Sequence, residues 1–121
     1  MNSNPRTIVA VVDDLFFGVQ ITDTAKRAGF TVKFAKDQPS LVKLAAETPA
    51  LIILDLNSPA ALDHIAKLKA GAATRPVPLL GFISHVNVEM KKKAEEAGCD
   101  TVVPRSAFMQ TLAASLRAAG P

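Results

Sequence analysis

The chain has 121 residues, of which 49% are hydrophobic, and its formal net charge is +3. This length predicts a single domain spanning residues 1–121 with a core of ordinary size. The charge is small and forms no dense basic patch, so we predict no nucleic-acid partner. The only cysteine is Cys99, which excludes an intrachain disulfide and a cysteine-based zinc site.

The apolar runs are too short to cross a membrane, because a transmembrane helix needs about 20 apolar residues. The first residues, Met1 to Pro5, contain no apolar signal-peptide segment. We therefore expect a cytoplasmic protein with no membrane partner. For its oligomeric state we expect a monomer or a weak dimer.

Five apolar or β-branched runs predict five strands. They lie at residues 7–12, 31–35, 51–54, 79–83 (preceded by Val77) and 101–104. The first, third and fourth runs are almost continuously apolar, which is typical of strands buried on both faces. Residues 31–35 alternate with period two and Pro104 interrupts the fifth run, so these two runs are predicted at edges or strand ends.

Helical spacing of apolar residues predicts five helices, one after each strand. Gly29 and Gly98 are C-cap signals that end the first helix (about 15–28) and the fourth (about 87–97). Asp37-Gln38-Pro39-Ser40 signals the start of the second, and Ser106 is the predicted N-cap of the fifth, at about 107–119. The residues predicted to face the core are Phe17, Ile21, Ala25 and Ala28; Leu41, Leu44 and Ala45; Leu62, Ile65 and Ala66; Met90, Ala94 and Ala97; and Met109, Leu112, Ala113 and Leu116.

Strands that alternate with helices predict an α/β fold with a doubly wound parallel sheet and helices on both faces. In the flavodoxin-like order 2-1-3-4-5, ligands bind at the carboxyl edge where strands one and three meet. The polar residues that follow the strands are Asp13, Asp14, Asp55, Ser84 and Arg105. We therefore expect three carboxylates to converge at this edge.

Clustered carboxylates repel one another unless a cation neutralises them. Mg²⁺ suits such a site, because it takes one or two carboxylates and completes its shell with water or phosphate oxygens. A strand-end aspartate such as Asp55 can then act as a nucleophile toward a phosphoryl donor. The Ser84 hydroxyl and the Arg105 guanidinium are suited to hold the transferred phosphoryl oxygens.

The sequence resembles the receiver domains of two-component response regulators over essentially its whole length. The residues that carry the resemblance are Val11-Val12-Asp13-Asp14, Asp55 with Pro59, Ser84, Ala97-Gly98-Cys99-Asp100 and Arg105. The resemblance implies that Asp55 is the phospho-acceptor and that Asp13, Asp14, Asp55 and the backbone carbonyl of Asn57 hold Mg²⁺. It also implies that Ser84 is the switch hydroxyl that follows the phosphoryl group.

The same resemblance implies a histidine kinase or phosphotransfer protein as the donor. The downstream partner would be another protein, docked through helix four, strand five and helix five. No enzyme activity is expected beyond self-phosphorylation and self-dephosphorylation at Asp55.

Four positions depart from the family pattern. Arg105 and Ser106 replace the usual lysine and proline, and arginine is larger and planar, so it does not substitute neutrally for lysine. His85 replaces a small residue and is predicted at the rim of the site. Val102 replaces the switch aromatic, so the coupled movement of a hydroxyl and a ring has no obvious ring.

These departures leave alternatives open. The chain could be a pseudo-receiver, a protein-interaction module that is never phosphorylated. A Mg²⁺-dependent phosphatase of the haloacid-dehalogenase type is a further alternative, although the first strand lacks that family's Asp-x-Asp. Asp13 and Asp14 could instead cap the first helix, where the helix dipole favours acids, and Arg105 could be a surface arginine. Lys91-Lys92-Lys93 could be a solvated face or a docking face.

Overall fold

The computed structural model describes residues 4–84 and 87–119. Within these ranges, five strands alternate with five helices. The strands are β1 (Asn4–Val11), β2 (Thr31–Phe34), β3 (Pro49–Asp55), β4 (Leu79–Ile83) and β5 (Thr101–Pro104). The helices are α1 (Leu15–Arg27), α2 (Gln38–Ala45), α3 (Ala61–Ala70), α4 (Val88–Ala97) and α5 (Arg105–Ala119). None of the described helices is long and apolar enough to span a membrane.

The strands form one parallel sheet in the order β2-β1-β3-β4-β5, which confirms the predicted doubly wound, flavodoxin-like fold. Strand β3 is central, and its Ile53 pairs with Ala10 of β1 and with Leu80 of β4. Because all strands are parallel, β1, β3 and β4 end at the same edge of the sheet. Their registers therefore bring the loops that carry the predicted site residues side by side.

The helices cover both faces of the sheet, because alternate residues of a strand point to opposite faces. Ile53 of β3 packs in a core layer with Phe17 and Ile21 of α1 and Leu112 of α5. Ile52, the preceding residue, packs in the opposite layer with side chains of α2, α3 and α4. Helices α1 and α5 therefore share one face, and the other three share the second.

Three phenylalanines form the part of the α1–α5 layer that matters most for the site. Phe17 of α1, Phe82 of β4 and Phe108 of α5 have ring centroids 4.6, 5.3 and 5.0 Å apart. Phe82 and Phe108 are fully buried, and Phe17 is almost so. Tilted aromatic pairs of this kind add about 0.5–1.5 kcal/mol each beyond the burial of their area. The trio fixes α1 and α5 against β4.

The predicted helix ends at Gly98 and at Asp37 are confirmed. Gly98 adopts a φ of 119° and caps α4, a left-handed conformation that favours glycine. Asp37 caps α2 by accepting a hydrogen bond from the backbone N–H of Ser40, whose hydroxyl in turn accepts one from the N–H of Asp37. The first helix ends at Arg27, just before Gly29.

Predictions about two helices, α5 and α3, were wrong. Helix α5 begins at Arg105, directly after β5, so Ser106 lies inside the helix and is not its N-cap. Phe108 is fully buried there, whereas Met109 and Ala113 are only half-buried. In α3 the buried face is Ala61, His64, Ile65 and Leu68, and Ala66 is exposed. The buried side chain of His64 has a polar partner in Gln38, at 3.2 Å.

Candidate functional site

Asp14 and Arg105 form an ion pair at the carboxyl edge of the sheet. Asp14 is the N-cap of α1, and its Oδ1 accepts a hydrogen bond from the backbone N–H of Phe17 at 3.0 Å. Its Oδ2 accepts a hydrogen bond from Nη2 of Arg105, the first residue of α5. The side chains of Asp14 and Arg105 are 37% and 33% exposed, so water reaches the pair.

These two contacts lower the pKa of Asp14 from its ordinary value. The N–H of Phe17 lowers this pKa most, followed by the guanidinium of Arg105. Both partners favour the charged form of the carboxyl group. Asp14 is therefore a carboxylate with both of its oxygens already engaged.

The guanidinium of Arg105 also lies on an aromatic surface. Its Cζ is 4.2 Å from the centroid of the Phe17 ring and 6.0 Å from that of Phe82. Stacking of this kind suits arginine better than lysine, because the guanidinium is planar and weakly hydrated. Arg105 is thus held by a carboxylate at its edge and by a ring at its face.

Asp55 and Asn57 form a second cluster, one strand away. Asp55 is the last residue of β3, and its Oδ1 accepts hydrogen bonds from the backbone N–H and from Nδ2 of Asn57, both at 2.9 Å. The Oδ1 atom of Asn57 accepts a hydrogen bond from the backbone N–H of Ser84 at 3.2 Å. One asparagine side chain therefore joins the loops that follow β3 and β4.

Sequence reasoning assigned Asn57 only a backbone carbonyl and missed this side-chain role. The bond between the Asp55 carboxylate and the N–H of Asn57 does have a local sequence signal, because Asp and Asn side chains commonly bond to backbone groups two residues away. The bond to Ser84 has no such signal, since the two residues are 27 positions apart in the chain.

The structure pairs Asp14 with Arg105, Asp55 with Asn57, and Asn57 with Ser84. Asp13 is exposed just after β1, and Ser84 is exposed just after β4. His85, the predicted rim residue, lies outside the described residues. Over residues 4–84 and 87–119, no group of three or more acidic, histidine or cysteine side chains is placed to hold a metal ion.

The donor types nevertheless fit a divalent cation such as Mg²⁺. Asp13, Asp14, Asp55 and the Asn57 carbonyl offer hard oxygen ligands of the kind that Mg²⁺ prefers. Among the described residues, however, the acids are not drawn together into one metal-binding group, and Arg105 already supplies a positive charge to the Asp14 carboxylate.

A cavity of about 240 Å³ lies between α4 and β5. Its described lining includes Ile83, Val88, Val102 and Pro104, with Lys91 at its edge. Val102 is buried against the core, at 7% exposure. The position where an aromatic switch residue was expected from the family pattern is thus a small aliphatic side chain beside open space.

The start of α1 also carries an apolar surface that the sequence interpretation missed. Leu15, Phe16 and Val19 are 82%, 86% and 61% exposed. Leu15 and Val19 line a groove of about 520 Å³ with Phe34 of β2, next to Asp13 and Asp14. The apolar surface therefore borders the acidic residues directly.

No protein-family model and no curated protein matched the chain in sequence. Many solved structures matched it in fold. A putative response regulator from Chloroflexus aurantiacus aligns with a TM-score of 0.82 at 18% identity, over 96% of this chain and 98% of that one. The chemotaxis response regulator CheY4 of Vibrio cholerae aligns with a TM-score of 0.80 at 20% identity, over 97% and 100% of the two chains.

The Mn²⁺-bound form of response regulator Rcp1 aligns with a TM-score of 0.74 at 15% identity, over 91% of each chain. At these identities the likeness establishes the fold. The chain has the fold of response-regulator receiver domains, with the strand order that these proteins share.

Proposed function

We propose that the chain is a receiver domain that accepts a phosphoryl group on Asp55 and signals through contacts with other proteins. The observation that supports this most directly is the position of Asp55. It ends the central strand of a receiver-type sheet, and only one of its carboxylate oxygens is engaged by Asn57 among the described residues. The other oxygen, Oδ2, is the nucleophile in this proposal.

The donor would be a phosphohistidine on a histidine kinase or a phosphotransfer protein. Oδ2 of Asp55 attacks the phosphorus, a P–O bond forms, and the P–N bond to the imidazole breaks. The imidazole nitrogen keeps the electron pair of that bond and takes up a proton. Asn57 holds Oδ1 during this step and so fixes the orientation of the carboxylate.

Asp13, Asp14, Asp55 and the carbonyl of Asn57 would hold Mg²⁺ in this function. When bound, the ion neutralises the carboxylates and the charge on the phosphoryl oxygens. The Ser84 hydroxyl and the Arg105 guanidinium would contact those oxygens. Phosphorylation of Asp55 would alter the surface formed by α4, β5 and α5, through which the domain would bind partner proteins. The cavity beside Val102 and residues 91–93 of α4 lie on this surface.

A pseudo-receiver that binds partners without being phosphorylated is the second candidate. Two observations favour it: the ion pair between Asp14 and Arg105, which occupies a proposed metal ligand, and the absence of an aromatic ring at Val102. The two candidates predict the same fold and differ only in the chemistry of Asp55.

An amide NMR titration separates them. Mg²⁺ is added first and beryllofluoride, a mimic of the phosphoryl group, second, to the wild type, to Asp55→Ala and to Asp63→Ala. Asp63 is an exposed acid on α3 and serves as the matched control. We expect beryllofluoride to shift signals of residues 55, 84 and 105 in the wild type and in Asp63→Ala, but not in Asp55→Ala. Mg²⁺ binding without any beryllofluoride response would favour the pseudo-receiver.

A further inference from the structure

The structure assigns Arg105 a role beyond contact with a phosphoryl group: we propose that its guanidinium competes with the divalent cation for Asp14. In the absence of metal, Arg105 is paired with the Asp14 carboxylate, and a cation binds Asp14 only when this ion pair breaks. This inference rests on the metal role proposed above for Asp14. It concerns the affinity of the site for a cation and does not depend on whether Asp55 is phosphorylated.

The competition follows from the engagement of Asp14. One carboxylate oxygen caps α1 through the N–H of Phe17, and the other is bonded to Arg105. The bond to Phe17 is part of the start of the helix, and losing an N-cap destabilises a helix. The bond to Arg105 is the one that can open without unwinding an element. A cation that uses Asp14 therefore displaces the guanidinium.

Arg105 is held close to Asp14 from its backbone outward. Strand β5 passes into α5 without a loop, so the backbone of Arg105 is fixed by the sheet and the helix together. Its guanidinium rests on the ring of Phe17, and this ring packs against Phe82 and Phe108. A flexible surface arginine would spend much of its time in water, whereas this one has a rigid aromatic support.

Metal binding and release of Arg105 are then a single linked event. By thermodynamic linkage, the free energy that the ion pair contributes in the metal-free protein makes the binding free energy of the cation less favourable by the same amount. The released guanidinium becomes available to the acceptor side of the crevice at the moment when the cation arrives. The site would thus keep its charge balanced in both states.

The test is Mn²⁺ binding followed by electron paramagnetic resonance of the free ion. The variants are Arg105→Gln, Arg105→Lys and Arg117→Gln, the last an exposed arginine near the end of α5. We expect Arg105→Gln to bind Mn²⁺ about tenfold more tightly than the wild type, within the usual range of coupling between sites. Arg117→Gln should match the wild type. Adding Asp14→Asn to Arg105→Gln should remove the gain.

Arg105→Lys tests whether competition for Asp14 needs the planar guanidinium or only a positive charge. Lysine keeps the charge but lacks the planar group that lies on Phe17. We expect this variant also to bind Mn²⁺ more tightly than the wild type. Equal affinities of Arg105→Lys and the wild type, or of Arg105→Gln and the wild type, would overturn the proposal.

A second readout does not depend on comparing affinities. In the wild type, Mg²⁺ should shift the Nε–H signal of Arg105 and the ring signals of Phe17, because the cation and the guanidinium exchange at Asp14. Cation binding that leaves both sets of signals unmoved would also refute the competition, while the proposed role of Asp55 would stand. If neither the wild type nor Arg105→Gln binds Mn²⁺, the competition and the proposed metal site fail together.

Discussion

Two glycines show that the effect of one added methyl group depends on the space around it. A Cβ atom on Gly81, in the fully buried strand β4, would lie 2.7 Å from Cδ1 of Leu56 and 3.2 Å from Sγ of Cys99. A Cβ atom on Gly18, in α1, would meet only the Phe34 ring, at 3.5 Å. The first is a clash, and the second is an ordinary van der Waals contact.

We therefore expect opposite signs for the same substitution. Gly81→Ala should lower the free energy of unfolding by about 1–3 kcal/mol, because it overpacks the core. Gly18→Ala should raise it by up to about 1 kcal/mol, since alanine favours a helix more than glycine does. Urea unfolding followed by circular dichroism measures both. A neutral Gly81→Ala would mean that Leu56 repacks freely and that this part of the core is looser than the structure has it.

At the scale of the element, α1 has two adjacent phenylalanines in opposite surroundings. Phe16 is 86% exposed, whereas Phe17 is 5% exposed and contacts Phe82, Phe108 and the Arg105 guanidinium. One helical position separates them by about 100° around the axis, which is enough to turn one ring to the core and the other to solvent.

Phe17→Ala should cost about 3–5 kcal/mol of unfolding free energy, because it leaves a cavity under the site. Phe16→Ala should change it by less than about 0.5 kcal/mol, as is usual at exposed positions. Phe16→Ala is thus the matched control for removing a benzyl group from α1. Equal losses in the two variants would place Phe16 in a packed environment and contradict the exposed surface at the start of α1.

At the scale of the molecule, the strands, helices and helix caps could be predicted because their signals are local, and the sheet order followed from the fold class that alternating strands and helices indicate. Apolar runs, period-two alternation and cap residues such as Asp37 and Gly98 each reflect the chain within a few residues. The pairing of Asp14 with Arg105 has no such signal, since it joins residues 91 positions apart. The direct passage from β5 into α5 was missed for a related reason: the tertiary position of α5 overrides the capping preference of Ser106.

The burial of Phe108 shows the same limit inside an amphipathic helix. Met109, Leu112, Ala113 and Leu116 satisfy helical periodicity as well as Phe108, Leu112 and Leu116 do, and the sequence alone cannot choose the rotation of the helix. The structure chooses the face that brings Phe108 against Phe17 and Phe82. The proposed site residues Asp13, Asp55 and Ser84 were placed at strand ends from sequence, whereas the side-chain bonds among their neighbours were not.

The dependence of folding on acid follows from the caps of two helices. Hydrogen bonds from Ser40, first from its backbone N–H and then from its hydroxyl, lower the pKa of Asp37 from 3.8. The pKa of Asp14 is also lowered, by the Phe17 N–H and by Arg105. The folded carboxyl groups bind protons more weakly than the unfolded ones. Their contribution to stability is therefore fully present above pH 3.8, the ordinary pKa, and is lost as the pH falls through the lower pKa values of the folded state.

Replacing Asp37 with asparagine isolates one of these caps. Asn caps a helix about as well as Asp does but does not titrate, so Asp37→Asn should lose less unfolding free energy than the wild type between about pH 5 and about pH 2. Asp37→Ser, which also caps without titrating, should show the same shallower slope. Urea unfolding at a series of pH values measures it. A slope in both variants as steep as that of the wild type would mean that the α2 cap does not contribute to acid sensitivity, and that carboxyls elsewhere in the molecule account for it.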